Sequence, residues 1–130
     1  MKNRVIISTV FIVPLLIYFL LLAFNPDVSI EESASAKSDI PTIIVFSTPM
    51  CGECKKMSPV VDKVKSNYSD KVEIVKINAA ERKHSNLVRK HGIYLVPTTI
   101  FMDKDGNILQ RVEGAMSYND FDTFVQILLK

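Results

Sequence analysis

Cysteine is scarce in this sequence: two among 130 residues, Cys51 and Cys54, three positions apart. That excludes a framework of disulfides stapling distant segments, so whatever these thiols do they do locally. Histidine is as scarce. His84 and His91 stand seven apart, off the i, i+4 spacing that converges two ligands on one helical face, and with one Cys-x-x-Cys they make a poor zinc set; no metal is expected. Nor is there an excess of charge. Lys and Arg number 16 against 14 Asp and Glu, but Lys2 and Arg4 precede the apolar N-terminal run and every acid follows it, leaving 14 of each sign in the remainder. A formally neutral domain presents no basic field to a phosphate backbone, so nucleic acid is not expected as a partner. No internal repeat or low-complexity tract is present. The length suits one domain with a short appendage and is too small for two independent cores.

What is there begins with a long apolar run. Val5 to Phe24, VIISTVFIVPLLIYFLLLAF, holds twenty residues without a charge, and a helix rising 1.5 Å per residue spans a ~30 Å hydrocarbon core at that length. Pro14 predicts a kink, which a membrane helix tolerates. Lys2 and Arg4 on one side and Asp27, Glu31 and Glu32 on the other place the N-terminus in the cytoplasm and the rest outside. The competing reading is a cleaved signal peptide, with Ala34-Ser35-Ala36 as the small-x-small site; that site stands far beyond the run, which favours a retained anchor. The topology is the same either way. A lipoprotein would need a cysteine just after the run, where none stands. Residues 1–24 thus read as anchor or signal segment, residues 25–38 as a polar, flexible linker, and residues 39–130 as the domain.

Within that domain the apolar period switches repeatedly. Thr42 to Ser47, TIIVFS, is apolar without alternation, as in a central strand covered on both faces. Met57, Val60, Val61, Val64 and Tyr68 then recur at helical spacing, with Pro59 inside the pattern. Val72 to Asn78 alternates as a second strand, expected parallel to the first through a right-handed crossover. Arg82 to His91 reads as a short helix ended by Gly92. Thr98 to Asp103 and Ile108 to Val112 are strands joined through Asp105-Gly106, a hairpin signal. Ser117 and Asp120 open a last helix with Phe121, Phe124, Val125 and Leu128 along one face. The order is β-α-β-α-β-β-α.

The chemistry rests on Cys51-Gly52-Glu53-Cys54. A lone Cys-x-x-Cys serves half a zinc site, a pair of buried structural thiols or a redox pair, and its position decides between them. It follows a buried strand and opens an amphipathic helix, whose N-terminal partial positive charge and unpaired amides favour a thiolate at Cys51. Cys51 is then the nucleophile, and Cys54, one turn on, the less exposed resolving thiol. Val96-Pro97-Thr98 precedes the third strand, where proline suits a strand start; taken alone it reads equally as a simple boundary.

Taken together, the element order, Cys51-Gly52-Glu53-Cys54-Lys55, Pro59 and Val96-Pro97-Thr98 resemble the thioredoxin family over roughly residues 39 to 130. The resemblance implies a thioredoxin-like α/β fold with a central four-stranded mixed sheet flanked by helices, here behind one transmembrane helix. It implies a cis Pro97 beside the cysteines, with Val96 offering its backbone to a bound substrate strand. Gly114 falls at the family's glycine near the substrate groove and Lys76 at its lysine beneath the site; a turn glycine and a solvated strand lysine are the plain alternatives. Met50 and Glu53 depart from the family's tryptophan and proline, Glu53 raising the Cys51 thiol pKa while Lys55 and Lys56 pull it down. Val45 stands where the family carries a buried acid, which argues against fast turnover. The family's first strand and helix are missing.

The function so implied is a thiol-disulfide oxidoreductase whose only redox group is the Cys51–Cys54 pair, without a further cofactor. Protein disulfides are its substrates. Its expected place is the outer face of a bacterial cytoplasmic membrane, or the periplasm or medium if cleaved, with a membrane thiol-electron carrier as reductant. A disulfide-forming oxidase or isomerase of the same fold differs only in reduction potential. A non-catalytic membrane-tethered adaptor is the alternative of another class.

Overall fold

The computed structural model describes residues 12–20 and 39–130. Its sheet is built on β1 (Thr42–Ser47), whose five residues Thr42 to Phe46 are all buried. α1 (Gly52–Asn67) follows, then β2 (Glu73–Asn78), a 3-10 turn (Arg82–His84), α2 (Ser85–Lys90), β3 (Thr98–Met102), β4 (Ile108–Glu113) and α3 (Tyr118–Leu128). The strand order is β2-β1-β3-β4, with β1 parallel to β2 and antiparallel to β3, and β3 antiparallel to β4. This is the expected thioredoxin-like α/β arrangement with a four-stranded mixed sheet.

The unalternating apolarity of β1 has a direct cause. Ile43 and Val45 face Met57, Val61 and Val64 of α1 and Phe121, Val125 and Leu128 of α3. Ile44 and Phe46 face the other way, onto Leu87 of α2 with Ile93 and Ile100. Helices therefore cover the central strand on both faces. The larger core is closed by Phe101, whose ring lies 5.4 Å from Phe121 and 5.3 Å from Phe124. Burying such a side chain contributes roughly 1.5–3 kcal/mol.

Three local features follow sequence chemistry. Asp103 Oδ1 accepts from the amides of Asp105 and Asn107 at 2.9 and 2.8 Å, and Gly106 takes φ +84°, which closes the β3–β4 hairpin. Ser117 caps α3, accepting from the Asp120 amide and donating to its carboxylate. α1 continues through Pro59 as one element. The helix expected over Arg82 to His91 is divided into the 3-10 turn and α2, and neither Glu81 nor His84 makes a side-chain cap. Instead Asn78 holds the first turn, its side chain donating to Glu81 and its carbonyl meeting His84 Nδ1 at 2.9 Å, and that turn is 3-10.

Residues 12–20 are helical with exposed apolar side chains. Among the described residues no helix is long and apolar enough to cross a membrane. The rest of the span expected over Val5 to Phe24, and the linker 25–38, lie outside the described residues.

Candidate active site

Cys51 is the N-cap of α1, with extended backbone at φ −86° and ψ 116°. Its sulfur accepts the Cys54 amide at 3.1 Å, one of the donors a helix start leaves without a partner. Cys51 and Cys54 are joined as a disulfide, their Cα atoms 5.2 Å apart. Cys51 is half-buried and Cys54 buried, so the sulfur at the helix start is the one a macromolecule can approach. A helix N-terminus and a donated amide both stabilise negative charge on that sulfur once the pair is reduced.

The flanking residues divide the local charge. Glu53 is exposed and its carboxylate takes Lys56 at 2.7 Å, a hydrogen bond that raises the Lys56 pKa. The opposing influences expected of Glu53 and Lys56 are thus paired with each other in solvent. Lys55 borders the cavity below the disulfide. Gly52 has open space where a Cβ would stand, so the site does not need glycine there for room.

The opposite wall comes from the segment before β3. The Val96–Pro97 peptide bond is cis and Pro97 is buried. The Val96 carbonyl oxygen lies 3.6 Å from Cys51 Sγ, a contact between partners 45 positions apart in sequence. Pro97 in turn accepts from the Gly114 amide at 2.8 Å. Gly114 has φ +100°, the left-handed region that a side chain disfavours, which explains the glycine at the end of β4. Thr98 Oγ1 donates to the Leu95 carbonyl at 2.6 Å. Met50 and Tyr94 are each 96% exposed, so large apolar side chains project from both segments that frame the disulfide.

Beneath Cys54 is a cavity of about 240 Å³, lined by Val45, Ser47, Met57, Val61, Lys76 and Pro97 among others. Val45 is 4% exposed, so the position expected to hold an acid is filled by an apolar side chain. Lys76, in register with Val45 across β1 and β2, borders the same cavity while its ammonium pairs with Asp62 of α1. It is both partly solvated and part of the cavity wall. A pairing fourteen residues apart across helix and strand leaves no periodic trace in the sequence. Among the described residues no three His, Cys, Asp or Glu converge as metal ligands.

Comparisons with known proteins agree with this geometry. The sequence model of the Thioredoxin family matches residues 28–127. Thioredoxin 1 of Synechococcus elongatus is 38% identical over 80 residues, covering 62% of this chain and 72% of that protein. Thioredoxin of Haemophilus influenzae is 31% identical over 94 residues, covering 72% and 85%. That of Pseudomonas aeruginosa is 31% identical over 99 residues, covering 76% and 88%.

Proposed function

The chain belongs to the thioredoxin family and is a thiol-disulfide oxidoreductase, and from that premise we propose that it reduces protein disulfides outside the cytoplasm, tethered by its N-terminal segment. Cys51 and Cys54 carry the reaction without another redox group. In the proposed cycle the Cys51 thiolate attacks one sulfur of a client disulfide, forming a mixed disulfide and releasing the first client thiolate. Cys54, deprotonated, attacks Cys51 Sγ and releases the second. Two electrons pass to the client, and the pair ends as the disulfide present in the structure.

The observation that carries this reading is the setting of Cys51 Sγ, which accepts the Cys54 amide at the helix start and stands 3.6 Å from the Val96 carbonyl. A client segment laid along Val96 and Pro97 brings its disulfide to the sulfur best able to become a thiolate. The charges on either side of the apolar N-terminal run support placement of the domain outside, with residues 1–24 as anchor or signal, 25–38 as linker and 39–130 as the working domain. There a soluble nicotinamide-dependent reductase has no access, so a membrane dithiol carrier serves as the electron donor.

The test is the reduction potential of the Cys51–Cys54 pair, measured by equilibrating the protein with thiol buffers of known poise. A value near about −270 mV is expected for a reductase, whereas one near about −120 mV would make the protein a disulfide-forming oxidase.

A further inference from the structure

The edge strand β4 carries a cation on the α2 side of the sheet. Val112 packs into the core shared by α1 and α3, so strand alternation turns Arg111 and Glu113 to the other face. There the Arg111 guanidinium donates to the His91 carbonyl at 2.5 Å and the Gly92 carbonyl at 2.8 Å, while its Nε and Nη2 meet Glu113 Oε1 at 3.0 and 2.8 Å. His91 and Gly92 end α2, with His91 as C-cap and Gly92 at φ +56°. Carbonyls at a helix C-terminus carry partial negative charge, so these are charge-assisted bonds at a favourable pole.

From Gly92 the chain runs directly to Pro97. Its far end is held by the Gly114 amide on the Pro97 carbonyl and by Thr98 on Leu95, and its near end by the Ile93 amide on Val88 and by Arg111. The side chains of Tyr94 and Leu95, between them, are exposed. β4 and the residue that follows it thus hold both ends of the segment that presents the Val96 carbonyl to Cys51.

We propose that Arg111 is a positioning residue for protein substrates, acting through segment 92–97 to set the Val96 carbonyl beside Cys51 Sγ. This rests on the reductase reading of the site. A small disulfide needs only access to Cys51. A protein disulfide must also seat its chain along Val96, so displacement of the segment penalises the second substrate more than the first.

The experiment compares the full chain with its Arg111→Met and Arg111→Lys variants, using insulin as the protein disulfide and an aromatic nitrobenzoate disulfide as the small one. For Arg111→Met the ratio of kcat/KM for insulin to that for the small disulfide should fall about tenfold, through KM more than kcat. Arg111→Lys keeps the charge but lacks the planar fork that bridges two carbonyls and a carboxylate, so it should recover part of the ratio and guard against a misfolded Met variant. An unchanged ratio in both variants overturns the proposal, as does a loss carried by kcat alone. Failure of the unsubstituted protein to reduce either disulfide would instead sink the reductase reading itself.

Discussion

At position 51 a sulfur occupies the place that serine, threonine, asparagine or aspartate oxygens take at most helix starts, accepting the amide three residues on. The atom that must become anionic to attack a disulfide is therefore the atom on which the helix focuses its donors. Forty residues later an imidazole has the opposite problem. His91 packs against Phe46 with ring centroids 5.9 Å apart, and its Nε2 has no hydrogen-bond partner. Burial first, then the charges of Lys90 and Arg111, hold its pKa below the ordinary 6.5. A depressed histidine pKa means the unfolded chain binds the proton more readily than the folded one. The stability tied to neutral His91 is thus complete above 6.5 and is lost as pH falls through that value toward the folded pKa. Thermal melts between about pH 7.5 and about pH 5.5 should show the midpoint falling with acidity, and His91→Gln should flatten that dependence. An identical pH dependence in the variant would show that His91 is not its source.

At the scale of elements, the fold rests on short stretches whose ends are chemically marked. α3 starts at Ser117, which accepts from the Asp120 amide and donates to its carboxylate, and this start aims Phe121, Val125 and Leu128 at the core. Ser117→Ala should cost about 1 kcal/mol. For a domain of this size that is a drop of roughly 4–8 °C in melting temperature, readable by calorimetry. Such marks made much of the fold legible in advance. β1 showed its central place by unbroken apolarity, the hairpin by Asp105-Gly106, α3 by its cap and stripe. The illegible parts are those in which a side chain meets a distant backbone or a distant charge. Arg111 bonds to carbonyls 19 and 20 positions away, and every residue has a carbonyl, so composition and spacing hold no sign of it. The pairing of Lys76 with Asp62 depends on how α1 lies over β2, a tertiary fact. The cysteine pair was legible because its chemistry is local. The approach of Val96 to Cys51 was implied only by resemblance to a family, since the two are 45 residues apart.

For the whole molecule, the proposal is of a domain tethered to a membrane with its disulfide facing outward. The helical residues 12–20 expose Ile12, Val13, Leu16, Ile17, Tyr18 and Phe19 at 50% to 68% each, on more than one face. A helix apolar all round is one buried in a protein core or a bilayer, and the proposed anchor takes the second course. The domain has a core under each sheet face, and none of residues 12–20 belongs to either. A tethered domain of this kind should behave in two separable ways. The protein should remain with the membrane after alkaline carbonate extraction, because an apolar span is not released by raised pH as a peripheral contact is. In intact cells treated with a mild reductant, a membrane-impermeant maleimide should label the half-buried Cys51 on the proposed topology, in which Lys2 and Arg4 keep the N-terminus inside and the domain lies outside. Labelling that appears only after the membrane is permeabilised would put the domain in the cytoplasm and remove the need for a membrane electron carrier. Release of a shortened chain into the soluble fraction, still labelled from outside, would keep the topology and show that the N-terminal segment is cleaved.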